Sequence, residues 1–276
     1  MTAHESLRRG SFRVSAAILA VLSGVTLSWW AGALARLAAS GCGQMSIWAC
    51  TADAAPAAAA ALVTTVAARA AWLGIAAARR VDALPRIPVP SAVAATTVRA
   101  ARVVCLDTGD RLAFCAGLWR PRLYVSRGAV ERLAADELAA VLAHEEAHLQ
   151  RRDPLRGLLR RAGADVLFFA PLARHWDHRR RLRAELAADR AAVRRTGVPA
   201  LAGALLSMVA TAPAETAAFG PATGSALDAR IAVLTDTAAP ADPIPVGTSV
   251  VSLVGSLATA AVVLCLAPLA LALGLP

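Results

Sequence analysis

Apolar residues in this chain follow two patterns: long runs near both ends, and periodic stripes between them. The runs from about 14 to 37, about 54 to 78 and about 246 to 273 are each long enough to cross a bilayer, which takes about 20 helical residues. The third carries no charge. The second is interrupted by Arg69, whose side chain can snorkel if it lies near a membrane surface. A cleaved leader is the rival reading of the first run. That run is long for a leader, and a second run follows soon after. Between the runs, Val98 to Leu106, Arg111 to Ala116 and Arg122 to Ser126 read as short strands. Asp107-Thr108-Gly109-Asp110, then Gly117 and Pro121, separate them. Helical patterning follows over about 134–152, 154–170, 173–195, 201–211 and 226–234. Pro154 suits a first helical position after Asp153, and Gly197 suits a helix stop. Pro85 to Pro90 and residues 236–245 read as linkers. The expected protein is mainly α, with transmembrane helices and an α+β domain built around a small sheet. Residues 1–78 form a membrane region with two spans, 79–245 a globular domain, and 246–276 a third span.

Composition supports membrane spans. Of 276 residues, 57% are hydrophobic and the mean hydropathy is +0.55, against about 45–50% apolar in soluble domains. The formal net charge is +10, carried entirely by arginine with no lysine. These arginines cluster beside apolar segments and on one helix, which suits an anionic lipid surface. No Gly-rich phosphate loop or basic-aromatic interleaving points to nucleic acid, and no nucleic-acid partner is expected. Arg8, Arg9 and Arg13, then Arg79, Arg80 and Arg86, flank the first two runs. By the positive-inside rule the N-terminus and the globular domain are cytoplasmic, and the loop 40–53 is outside. A Cys42–Cys50 disulfide is expected in that loop.

The chemistry centres on His144-Glu145-Glu146-Ala147-His148. Residues four apart on a helix lie one above the other, so His144 and His148 can reach one metal ion. Glu145 sits about 100° round from His144, where it can serve as base toward a water. Glu146 points to roughly the opposite side. This His-Glu-x-x-His pattern is that of zinc peptidases. A catalytic zinc takes three protein ligands and an open position. Candidates for the third are Glu185, Asp189, His175, His178 and Asp153. Asp153 follows His148 by only five residues, too close to fold back easily. Glu185 and Asp189 are four apart on a later helix, which suits one ligand and one carboxylate orienting a histidine. Their bland alternative is surface pairing with Arg181 or Arg190. His175 and His178, beside Trp176, read as surface residues. Tyr124 reads as structural, and no residue stands out as the oxyanion donor.

His144-Glu145-x-x-His148, Arg151-Arg152-Asp153-Pro154 and Glu185-x-x-x-Asp189 together resemble the integral-membrane gluzincin metallopeptidases. The BlaR/MecR-type group is the nearest in look, with HtpX-like proteases as relatives. Phe114 to Ser126 is similar to the segment those proteins carry before the metal helix. The resemblance implies one zinc ion per chain, bound by His144, His148 and Glu185, with Glu145 catalytic. It also implies a multi-pass plasma-membrane endopeptidase of gluzincin-type fold, acting on protein or peptide substrates beside the lipid bilayer. In the signalling members the substrate is a transcriptional repressor. Those members carry a penicillin-binding sensor domain after the last span, and this chain stops at Pro276, so β-lactam sensing is not expected. Three alternatives remain: a membrane-protein quality-control protease, a zinc-binding membrane regulator that does not cleave, and a basic membrane-surface scaffold with no metal.

Overall fold

The structure is a computed structural model, and it describes residues 47–94, 103–209, 224–235 and 243–272. The first apolar run and Cys42 lie outside the described residues, so the expected Cys42–Cys50 bridge does too. In chain order the elements are α1 (Ile47–Ala83), β1 (Arg86–Ile87), α2 (Ser91–Ala94), β2 (Val103–Leu106), β3 (Ala113–Ala116) and β4 (Arg122–Ser126). There follow α3 (Arg127–Arg132), α4 (Ala135–Gln150), α5 (Asp153–Val166), α6 (Pro171–Thr196), α7 (Val198–Val209), α8 (Gly224–Leu234) and α9 (Val246–Ala272). The protein is mostly helical with one small sheet, as its sequence predicts. Helix α1 starts inside the segment read as a loop. Strand β1 lies inside the stretch 85–90 read as a proline linker, and the short helix α2 follows directly after it. Helix α3 has no counterpart in the sequence reading.

The chain divides into two compact units. One gathers Met1–Leu73, Leu159–His175 and Ile244–Pro276. Its part of α1 contains most of Ala59–Ala83, a 25-residue stretch long and apolar enough to cross a membrane. The other comprises Gly74–Leu158 and Trp176–Pro243 and holds the sheet and the metal-motif helix α4.

In this second unit the strand order is β1-β2-β4-β3. β2 and β4 run parallel, with Val103 opposite Leu123. The outer pairs are antiparallel, with Ala113 opposite Val125 on one side and Arg86 opposite Leu106 on the other. β3 is therefore an edge strand. Ser126 ends β4 and caps α3 at once. Its buried hydroxyl accepts from the Ala129 and Leu112 amides and donates to the Asp110 carbonyl, which satisfies an otherwise unpaired helix-terminal N–H. Leu138, Val141, Leu142 and Leu149 of α4 pack on Cys105, Leu123 and Val125 of the sheet, so the motif helix lies on a solid floor.

The opposite flank of α4 is made of alanines. Ala140 and Ala143 share a buried cluster with Ala192 of α6 and with Ala200 and Leu201 of α7. Small side chains let helix axes approach closely, and here they let short acidic side chains of α6 reach the histidines of α4. Gly197, at φ 86°, follows α6 and ends it. That left-handed conformation after a helix is the one glycine favours.

Candidate metal centre

The helical spacing does what it predicts. His144 and His148 are both buried, with Nε2 atoms 3.1 Å apart. Glu185 of α6 faces the pair. Its Oε2 is 3.4 Å from His144 Nε2, and its Oε1 is 3.5 Å from His148 Nε2. Donors each about 2.0–2.1 Å from one tetrahedral ion stand roughly 3.3 Å apart. The three spacings therefore fit a shared ion, and the set as a whole can hold a metal. Glu185 is 41% exposed at its side chain, so the cluster opens to one side.

The far ring nitrogens face carboxylates. His148 Nδ1 is 2.8 Å from Asp153 Oδ2. His144 Nδ1 is 2.9 Å from Asp189 Oδ1, but off the axis of a hydrogen bond, so this buried atom lacks an aligned partner. A proton held on each Nδ1 leaves both Nε2 lone pairs directed at the cluster centre. That is the arrangement by which outer carboxylates orient metal-binding histidines. Asp189, expected as a carboxylate that orients a histidine, lies beside His144. Asp153 departs from expectation: the sequence reading judged it too close to His148 to fold back, and it folds back. The reason is Arg152, which adopts φ 54°. This left-handed residue turns the chain sharply between α4 and α5 and returns the Asp153 carboxylate to the helix it has just left. Arg151 braces the turn, bonding Asp153 Oδ2 at 3.2 Å and the Ala184 carbonyl at 2.9 Å.

Arg230 of α8 completes the cluster. Its Nε and NH2 bond the two oxygens of Asp189 at 2.8 Å each, and its NH1 lies 3.8 Å from Glu185 Oε2. Asp189 is 0% exposed, and a buried carboxylate without a cation would be strongly disfavoured. Sequence reasoning missed this role. Arg230 is some forty residues from its partner, and no local pattern marks it among so many arginines.

Electrostatics follow the geometry. Burial pulls the His144 pKa down, but its close contacts with the Asp189 and Glu185 carboxylates and the charges of Glu145 and Glu185 overcome it and raise the pKa to about 9. Burial pushes Glu185 up, but its contacts with His144 and the charges of His148 and Arg230 hold it down at about 2. The thiol of Cys115 on β3 is pushed up by burial and then by Glu145, Asp153 and Glu185, which sets the edge strand beside the cluster. The environment is that of a cation site: several carboxylates converge where a positive charge is favoured.

The adjacent glutamates differ sharply. Glu146 is 2% exposed and is engaged by Arg195 and Gln150. Glu145 is half-buried and close enough to His144 for its charge to act on it. Among the described residues His175 and His178 do not join the cluster. Arg181 pairs with Asp177 rather than Glu185.

Residues 57–234 match the family described as BlaR1 peptidase M56, which covers more than half of the chain. The chain belongs to the BlaR1 peptidase M56 family. The matched region begins in α1, includes every residue of the cluster, and ends at the last residue of α8, just beyond Arg230. Comparison with curated proteins and with solved structures gave no match. Membership makes the chain one of a family of peptidases, and substrates of a peptidase are proteins or peptides. The resemblance stated from the motifs is thus supported over both the candidate span and the metal cluster.

Proposed function

We propose that this chain is a membrane-anchored, zinc-dependent endopeptidase whose ion is held by His144, His148 and Glu185, one per chain. The observation that carries the reading is the mutual spacing of three donor atoms at 3.1, 3.4 and 3.5 Å. When bound there, zinc would polarise a peptide carbonyl and bring the pKa of a water toward about 7. The chain's own residues supply the rest. Glu145, the half-buried glutamate, accepts a proton from the attacking water and returns it to the leaving amine. Asp153 and Asp189 fix the imidazole rings, and Arg230 fixes Asp189. Edge strand β3 is where an extended substrate backbone would lie by β-augmentation.

The apolar stretch Ala59–Ala83 and the apolar α9 anchor the chain, with a further span over about 14–37. Arg79, Arg80 and Arg86 favour a cytoplasmic peptidase unit between residues 79 and 245 of a multi-pass plasma-membrane protein. Substrates are then proteins that reach the inner membrane face. A transcriptional repressor, the target in the signalling members that the motifs resemble, is one such substrate.

The test is Glu145→Gln. Zinc analysis should find one ion per chain in parent and variant alike. Comparison of cell proteomes should show cleavage products with the parent and none with the variant. Equal proteolysis by both would refute Glu145 as base, and the absence of stoichiometric zinc in the parent would refute the metal. A reporter fused at Gly128 that proves extracytoplasmic would reverse the orientation.

A further inference from the structure

Arg69 lies near the middle of the apolar stretch Ala59–Ala83, on the part of α1 that belongs to the first unit. It stands ten residues before Arg79, about 15 Å along a helix, too far for easy snorkelling to that end. Its guanidinium is not left alone. Nε and NH2 bond Asp165 Oδ2 at 3.0 and 2.7 Å. A charge inside a membrane span is expected to pair with another, and the partner must then share its depth.

Asp165 is one residue from the end of α5, at the entrance to the turn 167–170 that leads into α6. This turn is fastened to α9, the other long apolar helix of the same unit. The Leu172 amide donates to the buried Ser252 hydroxyl at 2.8 Å. The Phe169 carbonyl oxygen comes so close to Gly255 that a Cβ there would collide with it. Glycine at 255 is what permits this approach. The turn thus joins both apolar helices while turning an apolar side chain outward: Phe168 is 69% exposed. Arginines flank it on both sides, Arg156, Arg160 and Arg161 before and Arg174, Arg179 and Arg180 after.

We propose that residues 159–175 are a helical hairpin inserted into the bilayer beside α1 and α9, with Phe168 among the acyl chains and the Arg69–Asp165 pair as its pin. This rests on the reading of α1 as a membrane span and adds a membrane element inside the stretch otherwise assigned to the cytoplasmic domain. The occupant of the exposed apolar tip is lipid. The tip is continuous with the candidate span, and its flanking arginines suit anionic headgroups, which attract each basic residue near the surface.

The experiment uses the full chain in opened membrane fragments, where both aqueous faces are accessible. Phe168→Cys is compared with Asp136→Cys on exposed α4 surface, after subtracting the labelling of the five native cysteines. A charged, membrane-impermeant maleimide should modify Asp136→Cys at least tenfold faster than Phe168→Cys, whereas a lipid-soluble maleimide should modify both. Equal rates with the charged reagent would overturn the hairpin. An oxidant-induced dimer through Phe168→Cys would overturn it in another way, by showing a second copy on the tip. Release of the chain by alkaline carbonate would instead refute the membrane reading of α1 itself. Asp165→Arg should open Phe168→Cys to the charged reagent, and adding Arg69→Asp should close it again. No change with Asp165→Arg would refute the pin.

Discussion

His144 and Glu185 carry pKa values moved in opposite directions, about 9 and about 2, and each ties the stability of the metal-free protein to pH. The His144 value lies above its ordinary 6.5. Its contribution to stability is therefore fully present below about pH 6.5 and is lost as pH rises through about 9. The Glu185 value lies below its ordinary 4.5, so its contribution is present above about 4.5 and is lost as pH falls through about 2. Thermal unfolding of metal-free protein should accordingly peak between about pH 4.5 and 6.5 as far as these two groups decide it. Zinc behaves oppositely to the proton it displaces. Its affinity should climb with pH up to about 9, by as much as roughly tenfold per unit for each proton released. Competition with a chromophoric chelator at two or three pH values measures this, and a flat affinity would contradict the protonation of His144.

At the scale of elements, two features decide whether the donors meet. The first is the turn at Arg152. A β-branched residue is poorly tolerated at φ 54°, at a cost on the order of 1–3 kcal/mol. Arg152→Val should therefore lower stability and, by displacing Asp153, weaken zinc binding about 10- to 100-fold. Arg152→Gly, which accepts that conformation, should retain near-parental affinity. Equal affinity in all three proteins would show that the turn does not govern His148. The second is the alanine seam between α4 and α6. Ala140→Leu or Ala192→Leu should push the helices apart, costing about 1–3 kcal/mol for overpacking. Either should also weaken zinc binding, although neither residue is a ligand. Differential scanning fluorimetry with and without zinc separates the two effects, and a loss of stability with unchanged affinity would deny the seam its part in spacing the donors.

For the whole molecule, metal and fold should be coupled, because the proposed ligands come from two separate helices, α4 and α6. Chelation should abolish peptide hydrolysis reversibly and lower the thermal midpoint. Zinc at a hundred times its dissociation constant should restore about 2.7 kcal/mol. A midpoint indifferent to zinc would count against the cluster as the binding site. How much of this was legible beforehand depends on the range of each interaction. The 3.6-residue period makes His144, Glu145 and His148 readable, and the same period makes Glu185 and Asp189 readable as a pair. Asp153 was misjudged because a left-handed arginine leaves no sequence signal. Arg230 and Arg195 were invisible because tertiary packing alone selects them from 29 basic residues. Arg69 was seen as an interruption, but its partner at 165 could be found only in three dimensions. Strand β2 was legible from its β-branched residues, whereas two-residue β1 hid within a proline-rich stretch. The alanine seam has one more consequence, for the genetics of the protein. Alanine can be replaced by almost nothing smaller, so nearly every random missense change at Ala140, Ala143 or Ala192 enlarges a filled space. Inactivating alleles should therefore gather at these chemically silent positions as readily as at the histidines themselves.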